Sequence, residues 1–218
     1  MNKKYLILPI VAIVIVVAAI VGIVLFNYYQ SFHKVTVNIK DTGLTVTVFK
    51  RDLTSEDSNN DKNVGDATGS QVLSLQDGKY YAVAKGNDYD TSQISFEVSG
   101  KDTSVNVSPN YSSAKLSAML TSELPTINSV VSAKYDLESL GFTLDSGKLY
   151  ENGDWYGATL VQKTGEHVNG DVYRIVLHKQ NGTWNVATTP QLILTIPDNP
   201  SIPEDILTDL NNQTGYDN

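Results

Sequence analysis

Side chains able to do acid–base, nucleophilic or metal chemistry occur along this chain, but no motif marks a site built from them. The three histidines stand singly, and no two have the spacing of a metal-binding pair: His33, His167 and His178. No Gly-x-Ser-x-Gly elbow marks a serine nucleophile, and no glycine-rich loop marks a phosphate site. The adjacent carboxylates Glu204 and Asp205 suit the positive end of a helix, so a structural reason suffices for them. We therefore expect no catalytic residue, no metal and no cofactor.

A calcium site is the next candidate, because Asp57, Asn59 and Asp61 offer alternating oxygen ligands. An EF-hand loop needs glycine where Lys62 stands and glutamate where Thr68 stands. Both residues are missing, so we predict a solvated acidic loop.

Ligand binding would fall to aromatic side chains in the C-terminal half of the chain. The candidates are Tyr156, Trp155, Tyr173 and Trp184. Rings on a sheet face can stack on sugars or line an apolar pocket. The alternative, which we favour, is that these rings fill a small core. Because Tyr156 alternates with Trp155 along a strand, it is the ring we expect to be exposed.

An apolar run precedes all of these candidate residues. It covers residues 5–26, YLILPIVAIVIVVAAIVGIVLF, and would determine on which side of a membrane they lie. About 20 such residues in a helix cross the ~30 Å hydrocarbon core of a bilayer. Lys3 and Lys4 precede the run and the first acidic residue is Asp41, so the positive-inside bias predicts a cytoplasmic N-terminus at residues 1–4. We therefore predict an uncleaved transmembrane signal anchor in contact with membrane lipid, with a cleaved signal peptide as the alternative.

Aromatic residues mark both ends of this predicted anchor. Tyr5 begins the apolar run and Phe26 ends it, and Tyr28 and Tyr29 fall at the depth of the outer interface. Residues 27–33 then form a juxtamembrane linker. We accordingly predict a single-pass protein of the bacterial cell membrane, with its later domains outside the cytoplasm.

The charge of the chain limits which partners it can bind, and its lack of cysteine limits what can stabilise its domains. The net charge is −8, and every Asp and Glu follows the apolar run. An acidic surface disfavours nucleic acid and anionic lipid as partners. The chain has no cysteine, so each domain must be held by its hydrophobic core alone.

Residues 34–109 alternate apolar and polar side chains with period 2, which predicts a small antiparallel β-sandwich. Two apolar strand faces are predicted, one at Val35, Val37 and Ile39, the other at Leu44, Val46 and Val48. Residues 41–43 between them are predicted to form a hairpin turn, and residues 52–70 a long mobile loop. Further strands are predicted at residues 72–75, 79–84, 93–98 and 103–107.

The stretch Leu75-Gln76-Asp77-Gly78-Lys79-Tyr80-Tyr81-Ala82-Val83, followed by Gly86 and Tyr89, carries a family resemblance. It resembles the PEGA and carboxypeptidase-regulatory-like β-sandwich modules, which have a transthyretin-like fold. Asp41-Thr42-Gly43-Leu44 stands where those modules have Pro-Glu-Gly-Ala. The resemblance implies a spacer or binding module.

Residues 111–212 change to a mixed pattern, which predicts an α+β domain with a leading helix, an antiparallel sheet and a closing helix. The first helix is predicted to start at Ser112 or Ser113 and to stop at Pro125. The closing helix is predicted to start at Ser201 with a capping box to Glu204.

Between these two helices the pattern predicts strands and turns. Strands are predicted at residues 134–140, 155–163, 172–180, 183–188 and 191–196, and turns at 145–147 and 152–154. Asn181-Gly182 is predicted to form a type I′ hairpin turn, residues 164–170 a polar loop, and residues 213–218 a disordered tail.

The fold class expected is a single N-terminal transmembrane helix, then a small antiparallel β-sandwich, then a C-terminal α+β domain. The function expected is non-enzymatic, with two exported domains presented for binding or envelope assembly. A small-ligand or glycan receptor acting through the aromatic-rich C-terminal domain is the alternative. The partner is an envelope protein or a glycan, and the oligomeric state stays open.

Overall fold

The computed structural model describes residues 4–53, 60–162 and 171–214, with side chains from residue 15 onward except at residue 146. The chain divides into two compact units, Met1–Pro109 and Asn110–Asn218. Each unit has its own hydrophobic core.

Unit 1 begins with helix α1, Lys4–Gln30. The described side chains of its large apolar residues between Ile15 and Phe26 are all at least half exposed. Tyr28 packs edge-on against both Tyr29 and Phe32, with ring centroids 5.8 and 5.2 Å apart.

The transmembrane helix predicted over residues 5–26 is contradicted. In the part of the chain that the structure describes, no helix is long and apolar enough to span a membrane. Lipid contact through Tyr5, Phe26, Tyr28 and Tyr29 is accordingly not shown.

The described residues of unit 1 that follow form seven strands in two sheets. They are β1 Phe32–Ile39, β2 Thr45–Lys50, β3 Lys62–Ala67, β4 Gln71–Gln76, β5 Gly78–Gly86, β6 Tyr89–Val98 and β7 Thr103–Val107. One sheet has the order β4-β1-β7 and the other β3-β2-β5-β6. All pairs are antiparallel except β1–β7, which is parallel, so the all-antiparallel sandwich that we predicted is wrong at this pair.

The predicted strand faces of unit 1 are confirmed. Val35 and Val37 of β1 are fully buried, as are Val46 and Val48 of β2, and Leu44 is 1% exposed. Period-2 alternation places these side chains on one face of each strand, and the two faces pack together in one core.

The connections in unit 1 differ from those predicted. Residues 41–43 join two different sheets, so they form no hairpin, and Gly43 takes a φ of +89° at this corner. Strand β3 lies inside the predicted loop 52–70 and pairs with β2. Alternation within a strand shows which side chains share a face, but it does not specify which sheet the strand joins. Sheet partners can be distant in the chain, so these connections could not be predicted from neighbouring residues.

Unit 2 contains a second set of elements around one sheet. They are α2 Ser113–Lys134, β8 Phe142–Tyr150, a 3₁₀ turn Glu151–Gly153, β9 Trp155–Gln162, β10 Tyr173–Gln180, β11 Thr183–Val186 and α3 Glu204–Asn211. The sheet order is β11-β10-β9-β8, and each pair is antiparallel. The predicted polar loop 164–170 and most of the predicted tail lie outside the described residues.

Helix α2 starts as predicted but runs further. The Ser112 hydroxyl accepts a hydrogen bond from the Lys115 backbone N–H at 3.3 Å, which caps the first turn. Pro125 lies inside the helix instead of ending it. Proline removes one backbone hydrogen bond, but Ile127 and Val131 beyond it are fully buried against the sheet, and their burial outweighs that loss.

Strand β9 is buried on both faces. Every residue from Trp155 to Val161 is buried. One face packs in a cluster with Ile127 and Val131 of α2, and the other with apolar residues of α3. The sheet of unit 2 is therefore covered by a helix on each side.

The hairpin between β10 and β11 is confirmed. Asn181 and Gly182 have φ angles of 50° and 80°, as a type I′ turn requires. Two other predicted features in unit 2 are wrong. No strand forms at residues 134–140, and residues 145–147 lie within β8 at an irregularity in its pairing with β9.

The predicted last strand at residues 191–196 and the capping box at Ser201 are also wrong. A single bridge joins Gln191 to Arg174, and α3 begins only at Glu204, after Pro203. Ile206, Leu207 and Leu210 form the buried face of this helix. Arg174 holds its C-terminal end by donating to backbone carbonyls of Leu210, Asn211 and Gln213.

Candidate functional site

The four predicted ligand-binding aromatics do not share one surface. Tyr156 is 1% exposed, Trp184 3% and Trp155 6%, and Tyr173 is half-buried. Tyr156, Tyr173 and Trp184 pack toward α2, whereas Trp155 packs toward α3 on the opposite face. The expectation that Tyr156 is exposed is wrong, because strand alternation only assigns it to the other face and helix α2 covers that face.

Polar contacts fix these rings further. Trp155 stacks on His178 with ring centroids 3.8 Å apart, and the two planes are nearly parallel. Trp184 donates its indole N–H to Glu123 at 2.8 Å. Burial raises the pKa of Tyr156 to about 12, with a smaller contribution from Asp145. These rings therefore stabilise the core of unit 2.

An open groove lies between the second half of α2 and the start of β8. Its volume is about 530 Å³. The described residues that line it are Asn128 and Ser132 from α2, Leu137, Glu138 and Gly141 from the connection, and Phe142, Thr143 and Leu144 from β8. Ligand sites typically span about 300–1,000 Å³, so the groove can admit a small organic molecule.

Polar groups line the helical side of this groove. Asn128 and Ser132 are four residues apart on α2, so their side chains lie one turn apart on the same face. Both are exposed, as are Glu138 and Thr143. Together they offer an amide, two hydroxyls and a carboxylate as hydrogen-bonding partners.

The apolar wall of the groove is anchored in the core. Phe142 is half-buried and packs edge-on against Tyr173, with ring centroids 5.7 Å apart. Leu137 and Leu144 also contact the core cluster. Of the four predicted aromatics, Tyr173 therefore contacts a residue that lines the groove, Phe142.

The described lining of this groove offers few side chains that could act as an acid, a base or a nucleophile. Among the described residues that line it, Glu138 is the titratable one, and no histidine or lysine accompanies Ser132 to activate it. Within the described ranges, no three His, Asp or Glu side chains are arranged to hold a metal ion. The calcium-like segment begins at residue 57, and its first part lies outside those ranges.

Sequence reasoning missed the groove for two reasons. Pro125 predicts a helix end and residues 134–140 are predicted to form a strand, so the sequence places no helix beside the start of β8. The available signal was the pair of polar residues Asn128 and Ser132 at helical spacing, on a face adjacent to the buried Ile127 and Val131.

Comparisons with known proteins assign no family. No protein-family profile matches the chain, and no curated protein matches it in sequence. One similar solved structure is a candidate carbohydrate-binding protein from Bacteroides uniformis, with 12% identity and a TM-score of 0.26. The match covers 62% of this chain and 54% of that one, so this chain spans about half of it. Another is a DUF3823 family protein from Parabacteroides merdae, with 10% identity, a TM-score of 0.26 and coverage of 73% and 80%.

Proposed function

We propose that the protein is a non-enzymatic binding protein whose C-terminal unit holds a glycan in the groove between α2 and β8. The groove itself carries this proposal, because it combines an adequate volume with polar and apolar walls. Sugar rings present hydroxyl groups at their edges and an apolar face of C–H groups. The hydroxyl groups can form hydrogen bonds with four exposed side chains of the groove: Asn128, Ser132, Glu138 and Thr143. The apolar face can pack against Phe142 and Leu144.

The β-sandwich of unit 1 would act as a spacer or second binding module. The sequence resemblance of Leu75–Val83 to PEGA-like modules supports this role, as does the two-sheet architecture. Export of both units stays part of the proposal, supported by Lys3 and Lys4 ahead of the apolar run. Protease treatment of intact cells would digest exported units, and resistance to it in intact but not lysed cells would contradict export.

Glycan binding is tested with the full chain on a glycan array, followed by calorimetric titration of the best binder. Ser132→Leu places a larger side chain in the groove at an exposed helical position, where leucine is a good helix former. We expect it to reduce affinity at least about tenfold. Ser129→Leu makes the same substitution at an exposed α2 position that does not line the groove, and it should bind as the wild type does.

Three results would contradict the proposal. They are the absence of any bound glycan, equal affinity of Ser132→Leu and wild type, and equal loss in both leucine variants. Recovery of the bound glycan in cleaved or modified form would contradict the non-enzymatic role specifically.

A further inference from the structure

A second groove lies in unit 1, at one end of the sandwich where the two sheets separate. Its volume is about 510 Å³. Phe32 of β1 and Ser74, Leu75 and Gln76 of β4 line one side. The other side is lined by residues of β2, β3 and β5, among them Lys50, Lys62 and Tyr80.

Two lysines face each other across this groove wall. Lys50 of β2 and Lys62 of β3 are direct partners in the antiparallel register. Opposite residues in such a pair have Cβ atoms about 4.5–5.5 Å apart, so both ammonium groups can reach one shared anion. Like charges placed directly opposite each other destabilise a sheet, and a bound anion removes that cost.

Among the described residues, no carboxylate lines this groove, although the chain as a whole carries a net charge of −8. Two acidic residues that adjoin lining residues in the chain, Asp61 and Asp77, contact other groups. Asp61 accepts a hydrogen bond from the Asp52 backbone N–H at 2.7 Å, and Asp77 contacts His33 at 3.2 Å and the Gly100 N–H at 2.8 Å. Among the described residues, none forms an ion pair with Lys50 or Lys62.

The surroundings hold the Lys50 side chain in place. Its Nζ lies 5.9 Å from the centroid of the Tyr80 ring, which is 3% exposed. The Tyr80 hydroxyl donates to the Gln76 carbonyl at 2.7 Å, so the ring is fixed. Gly78 has a φ of +154°, and a Cβ there would lie 3.1 Å from Lys50 Cε. Glycine at this position therefore leaves the space through which Lys50 passes.

The rest of the groove suits the body of a sugar better than a bare ion. Asn63 accepts the Gly65 N–H on its Oδ1 at 2.9 Å, which leaves its NH₂ to donate to a hydroxyl. Ser74 and Gln76 add further polar groups, and Phe32 and Leu75 add apolar surface. The volume also exceeds what a single inorganic anion requires.

We infer that this groove binds an acidic sugar, whose carboxylate or phosphate group lies between Lys50 and Lys62. Charge-assisted hydrogen bonds from both ammonium groups hold the anion, and the groove walls hold the ring. Affinity falls as salt rises, because both lysines are near solvent and are screened. This site is separate from the glycan groove of unit 2 and does not depend on it.

Calorimetric titration of the full chain tests this inference with three probes: glucuronate, glucose 6-phosphate and glucose. We expect at least one of the acidic sugars to bind and glucose to bind at least about tenfold more weakly. Binding of glucuronate alone assigns a carboxylate ligand, and binding of glucose 6-phosphate alone assigns a phosphate ligand. Equal affinity for glucose and both acidic sugars would overturn the inference, as would no binding of either acid.

Matched variants place the binding at this groove. Lys50→Gln and Lys62→Gln should each lower the affinity about tenfold, because each removes one charged hydrogen-bond donor. Lys40→Gln removes an exposed lysine beyond the opposite end of β1 and should bind as the wild type does. Unaltered binding in both groove variants, or equal loss in Lys40→Gln, would overturn the assignment.

Discussion

The indole N–H of Trp184 donates a 2.8 Å hydrogen bond to one carboxylate oxygen of Glu123. The other oxygen of Glu123 pairs with the Lys179 ammonium group at 2.5 Å, and that ammonium group lies 5.4 Å from the centroid of the Trp184 ring. Glu123 belongs to α2, and the two partners belong to the hairpin β10–β11. One half-buried carboxylate therefore joins the helix to the edge of the sheet.

Replacement of Glu123 by alanine should destabilise unit 2. Trp184 is 3% exposed, so its N–H would lose its partner without gaining free access to water. We expect the free energy of unfolding to fall by about 1–3 kcal/mol in chemical denaturation. Glu138→Ala, at an exposed position of the same unit, is the control and should stay within ~0.5 kcal/mol of wild type. Equal stability of Glu123→Ala and Glu138→Ala would refute the structural role.

The same carboxylate predicts a pH dependence. Hydrogen bonds from Lys179 and then Trp184 lower the pKa of Glu123 below its ordinary value of 4.5, although burial opposes them. The folded state thus favours the ionised form, and its stabilisation is fully present above pH 4.5. It is lost as pH falls through the lowered pKa. The difference in unfolding free energy between wild type and Glu123→Gln should therefore shrink on acidification. A difference that grows as pH falls would contradict this pH dependence.

Local patterns predicted much of this fold. Alternation located the buried faces of β1 and β2, because a strand's side chains alternate whatever sheet it joins. Asn181-Gly182 specified its hairpin for a similarly local reason, since few residues tolerate positive φ at both turn positions. These features depend on residues close together in the chain.

Features that depend on distant partners were not predictable in the same way. Pro125 suggested a helix end, and only burial of Ile127 and Val131 against the sheet shows why α2 continues. The exposure expected for Tyr156 failed because its strand is covered by helices on both faces. The unit 1 groove lies between strands that are far apart in the chain, and the pairing of Lys50 with Lys62 does not follow from local periodicity. The unit 2 groove lies between consecutive elements, but it exists because α2 continues past Pro125.

Gly147 of β8 should not tolerate a side chain. A Cβ at this position would lie 2.1 Å from the Tyr156 hydroxyl oxygen and 2.6 Å from the ring carbon that carries it. Tyr156 is 1% exposed and cannot swing away, so Gly147→Ala should lower the free energy of unfolding by about 1–3 kcal/mol. Gly69→Ala is the control, because its Cβ meets nothing within 4 Å. Thermal denaturation of both variants tests this prediction. Equal melting temperatures would show that the strand accommodates the added side chain without loss of stability.

Tyr156 should also limit stability in alkali. Burial, with a contribution from Asp145, raises its pKa to about 12, above the ordinary value of 10. The folded state favours the neutral phenol, so this stabilisation is fully present below pH 10 and is lost as pH rises toward the raised pKa. Wild type should lose stability relative to Tyr156→Phe over this range. Chemical denaturation at a series of alkaline pH values measures the difference, and parallel stability curves would contradict the prediction.

Removal of one lysine from the unit 1 groove should stabilise the ligand-free protein. Lys50 and Lys62 are opposed in register, and like charges in that arrangement are destabilising. We expect Lys62→Gln to raise the free energy of unfolding by about 0.2–1 kcal/mol at low salt, with a smaller gain at high salt because ions screen the repulsion. Lys40→Gln serves as the control and should show no such gain. If Lys62→Gln is more stable and also loses its affinity for acidic sugars, the lysine pair is kept for binding at the expense of stability. If Lys62→Gln is less stable than wild type, the two ammonium groups do not repel each other in the free protein.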